Sequence, residues 1–159
     1  MIRVSFSGLD ESKKFFEQVP KRLGLALIKA MQDSAILIQS LAKSKAPVFR
    51  GFLRLSIVQS LKEEGNRIVG EVGSALPYAP VVEFGKSAGW FPNLNDLKVW
   101  ARRKLGNERL AFVVGRAIKK RGFRAQPYLG PALEEAQPRI QILFAARITQ
   151  AIAEMGGNT

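Results

Sequence analysis

Residues 20–47 read PKRLGLALIKAMQDSAILIQSLAKSKAP. Leu23, Leu27, Ala30, Met31, Ser34, Ile38, Leu41 and Ala42 recur at three- and four-residue steps, the period of one helical face. Upstream, Phe15, Phe16 and Val19 continue the stripe, and Asp10 offers a side-chain oxygen to the free amides of a helix start. The spacing predicts a long amphipathic helix over residues 10–45. Pro20 cannot donate to the helical ladder and is expected to kink the helix or open a second one. Pro47 closes it, because proline disfavours helical geometry in the residue before it.

On either side of this helix the period changes. Ile2, Val4 and Phe6 alternate with Arg3, Ser5 and Ser7, as in a half-buried strand. Leu53, Leu55, Ile57 and Leu61 share one side of a following strand, and Ile68, Val69 and Val72 continue in another. Residues 52–74 are thus expected to form an antiparallel hairpin whose loop spans Lys62–Asn66. Pro80 opens a short helix that Gly85 ends. Residues 86–93 read as an irregular loop with exposed aromatic side chains. Two helices follow, one carrying Leu97, Trp100, Ala101, Lys104 and Leu105, the other running from Leu110 to a stop at Gly122. Pro131 is expected to start a final helix reaching Glu154, with a bend or restart at Pro138.

The order is that of an α+β fold. A small antiparallel β-sheet is covered by a long N-terminal helix and a C-terminal helix, with an inserted basic helical pair. The 159 residues fit a single domain, 1–159, in which 86–124 form the insert. With 47% apolar residues the chain can build a core.

The composition removes several chemistries. There is no Cys and no His, so thiolate nucleophiles, Cys-based zinc sites and Ser-His couples are excluded. Glu63-Glu64 and Glu134-Glu135 are adjacent pairs that do not converge as metal ligands, and no Gly-rich phosphate loop occurs. No catalytic residue, metal site or cofactor is expected. No run of about 18 apolar residues is present, and the N-terminus lacks the basic start and apolar block of a secretory signal. A protein assembled in a reducing cytoplasm, without a membrane partner, is the expectation.

The net charge of +12 is concentrated. Residues 98–124 hold Lys98, Arg102, Arg103, Lys104, Arg109, Arg116, Lys119, Lys120, Arg121 and Arg124 against Glu108 alone. Such a segment is either a pair of solvated helices or a surface facing phosphate or an acidic partner. Trp90, Phe91 and Trp100 lie among these cations, where aromatic rings can stack on bases but more often pack in cores and interfaces. Lys98-x-x-x-Arg102-Arg103-Lys104 fits the charge of a recognition helix, although its apolar face is ordinary. A basic nucleic-acid-binding protein using helices 98–124 is therefore the alternative reading.

Three segments in order carry a resemblance. They are Ala42-Lys43-x-x-Ala46-Pro47-x-x-x-Gly51-x-Leu53-Arg54-x-Ser56-Ile57, Tyr78-Ala79-x-x-Val82-Glu83-Phe84-Gly85, and Gln126-Pro127-Tyr128-Leu129-x-Pro131-Ala132. Together they resemble the neck and tail-completion proteins of long-tailed double-stranded DNA bacteriophages, over most of residues 20–150. The chain departs from that pattern at Arg50, where a small hydroxyl residue is common, and at Tyr128, where Phe is. The resemblance implies a non-catalytic virion protein at the head–tail junction: a tail terminator, head–tail adaptor or completion factor. It implies a ring of its own copies, a hexamer or dodecamer, around the DNA conduit. The neighbours would be head-completion or connector proteins and tail-tube or tail-terminator proteins. It places interface contacts at Arg54, Tyr78, Glu83, Phe84, Gly85, Pro127 and Tyr128. In such a ring the basic residues 98–124 would face genomic DNA or an acidic partner. Glu83 is open to a subunit contact, to pairing with a nearby base, or to shaping a helix end.

Overall fold

The computed structural model describes residues 2–7, 21–64 and 67–156. Its elements are β1 (Ile2–Ser7), α1 (Lys21–Lys45), α2 (Phe52–Ser56), β2 (Ile57–Glu64) and β3 (Arg67–Ser74). They continue as α3 (Ala79–Phe84), α4 (Leu94–Leu105), α5 (Leu110–Arg121) and α6 (Leu129–Gly156). The architecture is α+β, as the patterning predicts. The expectations for Asp10, Phe15, Phe16, Val19 and Pro20 fall outside the described residues.

The strands form an antiparallel sheet in the order β1-β3-β2. Ile2 and Ile57 both pair with Ser74, and Val4 and Gln59 both pair with Val72. α1 lies on one face of this sheet, and α6 packs along α1 and reaches β1. The buried stripe of α1 includes Leu27, Ala30, Met31, Ser34, Ala35, Ile38 and Ala42, following the predicted period. Ser34 stays satisfied inside by donating to the Ala30 carbonyl at 2.7 Å. By length and mean hydropathy (1.2 over its best window) α1 could cross a bilayer, but this stripe is covered by the sheet and α6. The opposite face of the sheet carries an ion-pair cluster beside exposed Val58: Glu71 holds Lys62 at 2.8 Å and Arg3 at 3.0 Å. The Lys62 ammonium, with Arg3 behind it, holds the Glu71 carboxyl below its usual range.

Small side chains set the α1–α6 contact. Ala35, Ala42, Ala132 and Ala136 belong to one buried cluster with Ile38, Ile57 and Val72. Asp33 accepts two hydrogen bonds from Arg147, at 2.9 and 2.7 Å, and Lys45 meets Glu135 at 2.7 Å. Ala35→Leu is expected to force these helices apart and cost about 1–3 kcal/mol, seen as a lower urea midpoint with an unchanged slope.

Several boundaries differ from the sequence reading. Residues 52–56 are a helical turn rather than strand: Leu55 N–H donates to the Gly51 carbonyl at 2.9 Å. Leu53 and Ile57, four apart, are the buried pair, whereas Leu55 is 75% exposed. Lys62, Glu63 and Glu64 continue the strand, with Glu64 opposite Arg67, so the expected five-residue loop is shorter. α4 begins at Leu94, where the Asn93 side chain accepts from Asn95 N–H. α6 begins at Leu129, two residues before Pro131, and runs through Pro138 without a restart. Pro138 sits on the exposed side, where water can serve the Glu134 carbonyl that lacks its donor.

Candidate functional site

The second and third sequence motifs meet in space. α3 carries Glu83, which is only 6% exposed although charged. One carboxylate oxygen, Oε2, accepts from the backbone N–H groups of Tyr128 (2.7 Å) and Leu129 (3.0 Å). The other, Oε1, accepts from Gly130 N–H at 2.9 Å. Pro131 has no N–H, so the amide positions 128–131 at the start of α6 are all accounted for. The anion also lies at the positive end of a 28-residue helix. Glu83 therefore shapes a helix end, but not its own: it caps a helix that begins 46 residues later in the sequence.

The missing local cap is the signal that could have found this arrangement. Gln126-Pro127-Tyr128 contains no Ser, Thr, Asp or Asn to serve as an N-cap. The orphan donors needed an acceptor from elsewhere in the fold. Nothing in the spacing of Glu83 identifies it as that acceptor.

Tyr128 is buried between these elements, and its hydroxyl has no hydrogen-bond partner among the described residues. Burial, followed by the Glu83 carboxylate and Tyr78, pushes its pKa up to about 12. Tyr78, 43% exposed, is also raised, by burial and then by Asp96. Because the folded Tyr128 holds its proton longer than the unfolded one, stability is expected to fall as pH rises from about 10 toward about 12. Absorbance titration of the two tyrosines should show both ionising late, Tyr128 last. Tyr128→Phe removes an unpaired buried hydroxyl and should raise stability by up to about 1 kcal/mol, read as a higher Tm.

The remaining interface candidates are distributed differently. Phe84 is 74% exposed, and Arg54 and Pro127 are exposed. Gly85 lies at the stem of the insert. Lys86 N–H donates to the Phe123 carbonyl at 2.9 Å, and Phe123 N–H returns to the Lys86 carbonyl at 2.7 Å. Gln126 N–H donates to the Val82 carbonyl at 2.8 Å, so residues 82–86 and 123–130 are zipped together. This closes the loop and both basic helices into an excursion with adjacent ends.

Within the excursion α4 and α5 pack on each other, with Ala101, Ala111 and Gly115 buried. Phe91 lies over Gly115 and tilts against Phe112 with ring centroids 6.3 Å apart. As expected, the loop carries an exposed aromatic side chain, Phe91, which at 36% exposure also packs on α5, while Trp90 and Trp100 are half-buried. Lys98, Arg102, Arg103, Lys104, Arg109, Arg116, Lys119, Lys120, Arg121 and Arg124 are all exposed. Among the described residues only Arg102 of these ten forms an ion pair, with Glu108. That bond, with Lys98 and Arg109 nearby, holds the Glu108 carboxyl low. The Arg103 guanidinium lies 5.9 Å from the Phe49 ring centroid, a contact between the insert and the segment after α1.

No group of three or more metal-ligating side chains occurs among the described residues. What the geometry defines is a carboxylate-capped joint and a basic excursion. Residues 10–85 match the family described as "Bacteriophage HK97-gp10, putative tail-component". The match covers a little under half of the chain, contains the first two motif segments and ends where the insert begins. The match supports the phage resemblance carried by those motifs at the level of a tail component. No curated protein and no solved structure matches the chain.

Proposed function

We propose that this protein is a structural component of the phage neck that acts at the head–tail interface by ring assembly of its own copies around the DNA conduit. The observation that carries the reading is the placement of large exposed apolar side chains on separate elements. Leu55 on α2, Phe84 on α3 and Ile142 on α6 (67% exposed) all face solvent in the single chain. Phe52 and Val58 flank Leu55, and Ile36 and Leu143 join Ile142 in an open groove between α1 and α6. A ring subunit needs two non-identical patches, because head-to-tail contacts close a ring only when different surfaces meet. The family match supports the tail setting. The neighbours in this reading are a head-completion or connector protein on one side and a tail-tube or terminator protein on the other.

Native mass spectrometry of the purified protein, alone and with tail-tube subunits, tests the reading. A closed species of six or twelve copies, lost in Leu55→Asp or Phe84→Asp chains that melt normally, would support it. A chain that stays monomeric with every neighbour would overturn it.

A further inference from the structure

The cations of the insert fall in two stretches of sequence with different neighbours. Near the turn between α4 and α5, Leu105, Leu110, Phe112 and Val113 are exposed among the charges. From residue 114 to 141, no large apolar side chain is exposed among the described residues. No acidic residue occurs between Glu108 and Glu134. Yet Arg116, Lys119, Lys120, Arg121 and Arg124 are exposed there, and the stem bridge brings exposed Lys86 beside Phe123. The carbonyls ending α5, which would repel an anion, are partly occupied. Ile118 accepts from Gly122 N–H and Lys119 accepts from Gly89 N–H, both at 2.7 Å.

We infer that the cation cluster of Lys86 with Arg116, Lys119, Lys120, Arg121 and Arg124 binds the phosphate backbone of duplex DNA without reading its sequence. A protein partner is anchored by a desolvated apolar or aromatic centre, with charge at its rim. Residues 114–124 carry five exposed cations and no exposed large apolar side chain, with exposed Phe91 over Gly115 and Phe84 two residues before Lys86 at the border, whereas a phosphate backbone requires only cations. Phe112 and Val113 lie one turn before Arg116 on α5 and offer nothing to a phosphate. The inference deepens the neck reading and rests on it for where DNA is met; the binding chemistry belongs to the insert alone.

Fluorescence anisotropy with a 30-base-pair duplex of arbitrary sequence tests it. If about four of the six cations each neutralise a phosphate, log K should fall with log salt at a slope near −3.6, roughly 150-fold between 50 and 200 mM. The variant Lys119→Glu/Lys120→Glu/Arg124→Glu should bind at least 30-fold more weakly at 100 mM salt while melting normally, with Lys119→Gln/Lys120→Gln/Arg124→Gln between the two. Phe112→Ser/Val113→Ser should stay within twofold of the parent. No binding at 50 mM salt, a slope shallower than −1, or a triple charge reversal within twofold of the parent would overturn the inference. So would polyglutamate displacing the duplex as well as unlabelled DNA at equal charge, because the partner would then be an acidic protein. Ring formation by the triple variant, read by native mass spectrometry, reports on the neck reading alone, so the two fail separately.

Discussion

Glu83→Ala is expected to be the most damaging single substitution in the chain, costing about 3–5 kcal/mol and lowering Tm by roughly 10–15 °C. Three backbone donors at the start of α6 would lose a charged acceptor in a site only 6% exposed. A hydrogen bond to a charged group contributes about 1.5–3 kcal/mol, and partial rehydration of the opened joint keeps the total below their sum. Glu83→Gln retains one acceptor oxygen and should lose about half as much. Glu83→Asp keeps the charge but is one methylene short, and should fall between the two. Thermal melts followed by circular dichroism rank the series. A melting point for Glu83→Ala within 2–3 °C of the parent, about 1 kcal/mol, would contradict the capping role.

The second large effect belongs to the stem of the insert. Gly85 has φ 74° and ψ −171°, and Gly122 has φ 82° and ψ −174°. Only glycine readily occupies that region of backbone space. A Cβ on Gly85 would lie 2.6 Å from the Phe123 carbonyl oxygen, and one on Gly122 would lie 2.4 Å from the Lys86 carbonyl oxygen. These are the two carbonyls that form the stem bridge. Gly85→Ala or Gly122→Ala should therefore cost about 2–4 kcal/mol and break that bridge. Hydrogen exchange should show the Lys86 and Phe123 amides losing protection while the β2–β3 amides keep theirs. Both changes attack one bridge, so the double variant should cost less than the sum of the singles. Undiminished protection at both amides would mean that the stem tolerates side chains at these positions.

The alternation of Ile2, the helical stripe of α1 and the charge block at 98–124 were all legible, because each depends on residues near one another in sequence. A period of two or of 3.6 is a local property, and burial of one face follows from it. At residues 52–56 the same logic misled, since Leu53, Leu55 and Ile57 fit a strand as well as a helical turn. The hydrogen bond from Leu55 to Gly51 and the burial of Leu53 with Ile57 selected the turn. In the aromatic loop the exposure of Phe91 was legible but its packing was not. Phe91 finds its partners on α5, more than twenty residues away, and no local pattern announces them.

The phage resemblance rested on motifs whose residues are now assigned unequal tasks. Phe84 stays on the surface, while its neighbour Glu83 is consumed inside the chain. Adjacent residues on a helix diverge by about 100°, so one motif can serve the core and the surface at once.

The sequence by itself determined the α+β class, the lack of His and Cys, the amphipathic first helix and the clustering of positive charge, since these follow from residue identity and short-range periodicity. Only the tertiary structure decided that Glu83 caps α6, that Gly85 and Gly122 pinch the insert shut, and that the insert's cations are exposed on an excursion with adjacent ends. Each of these depends on groups brought together by chain closure over tens of residues, and the packing of α1, α6 and the sheet supplies that closure.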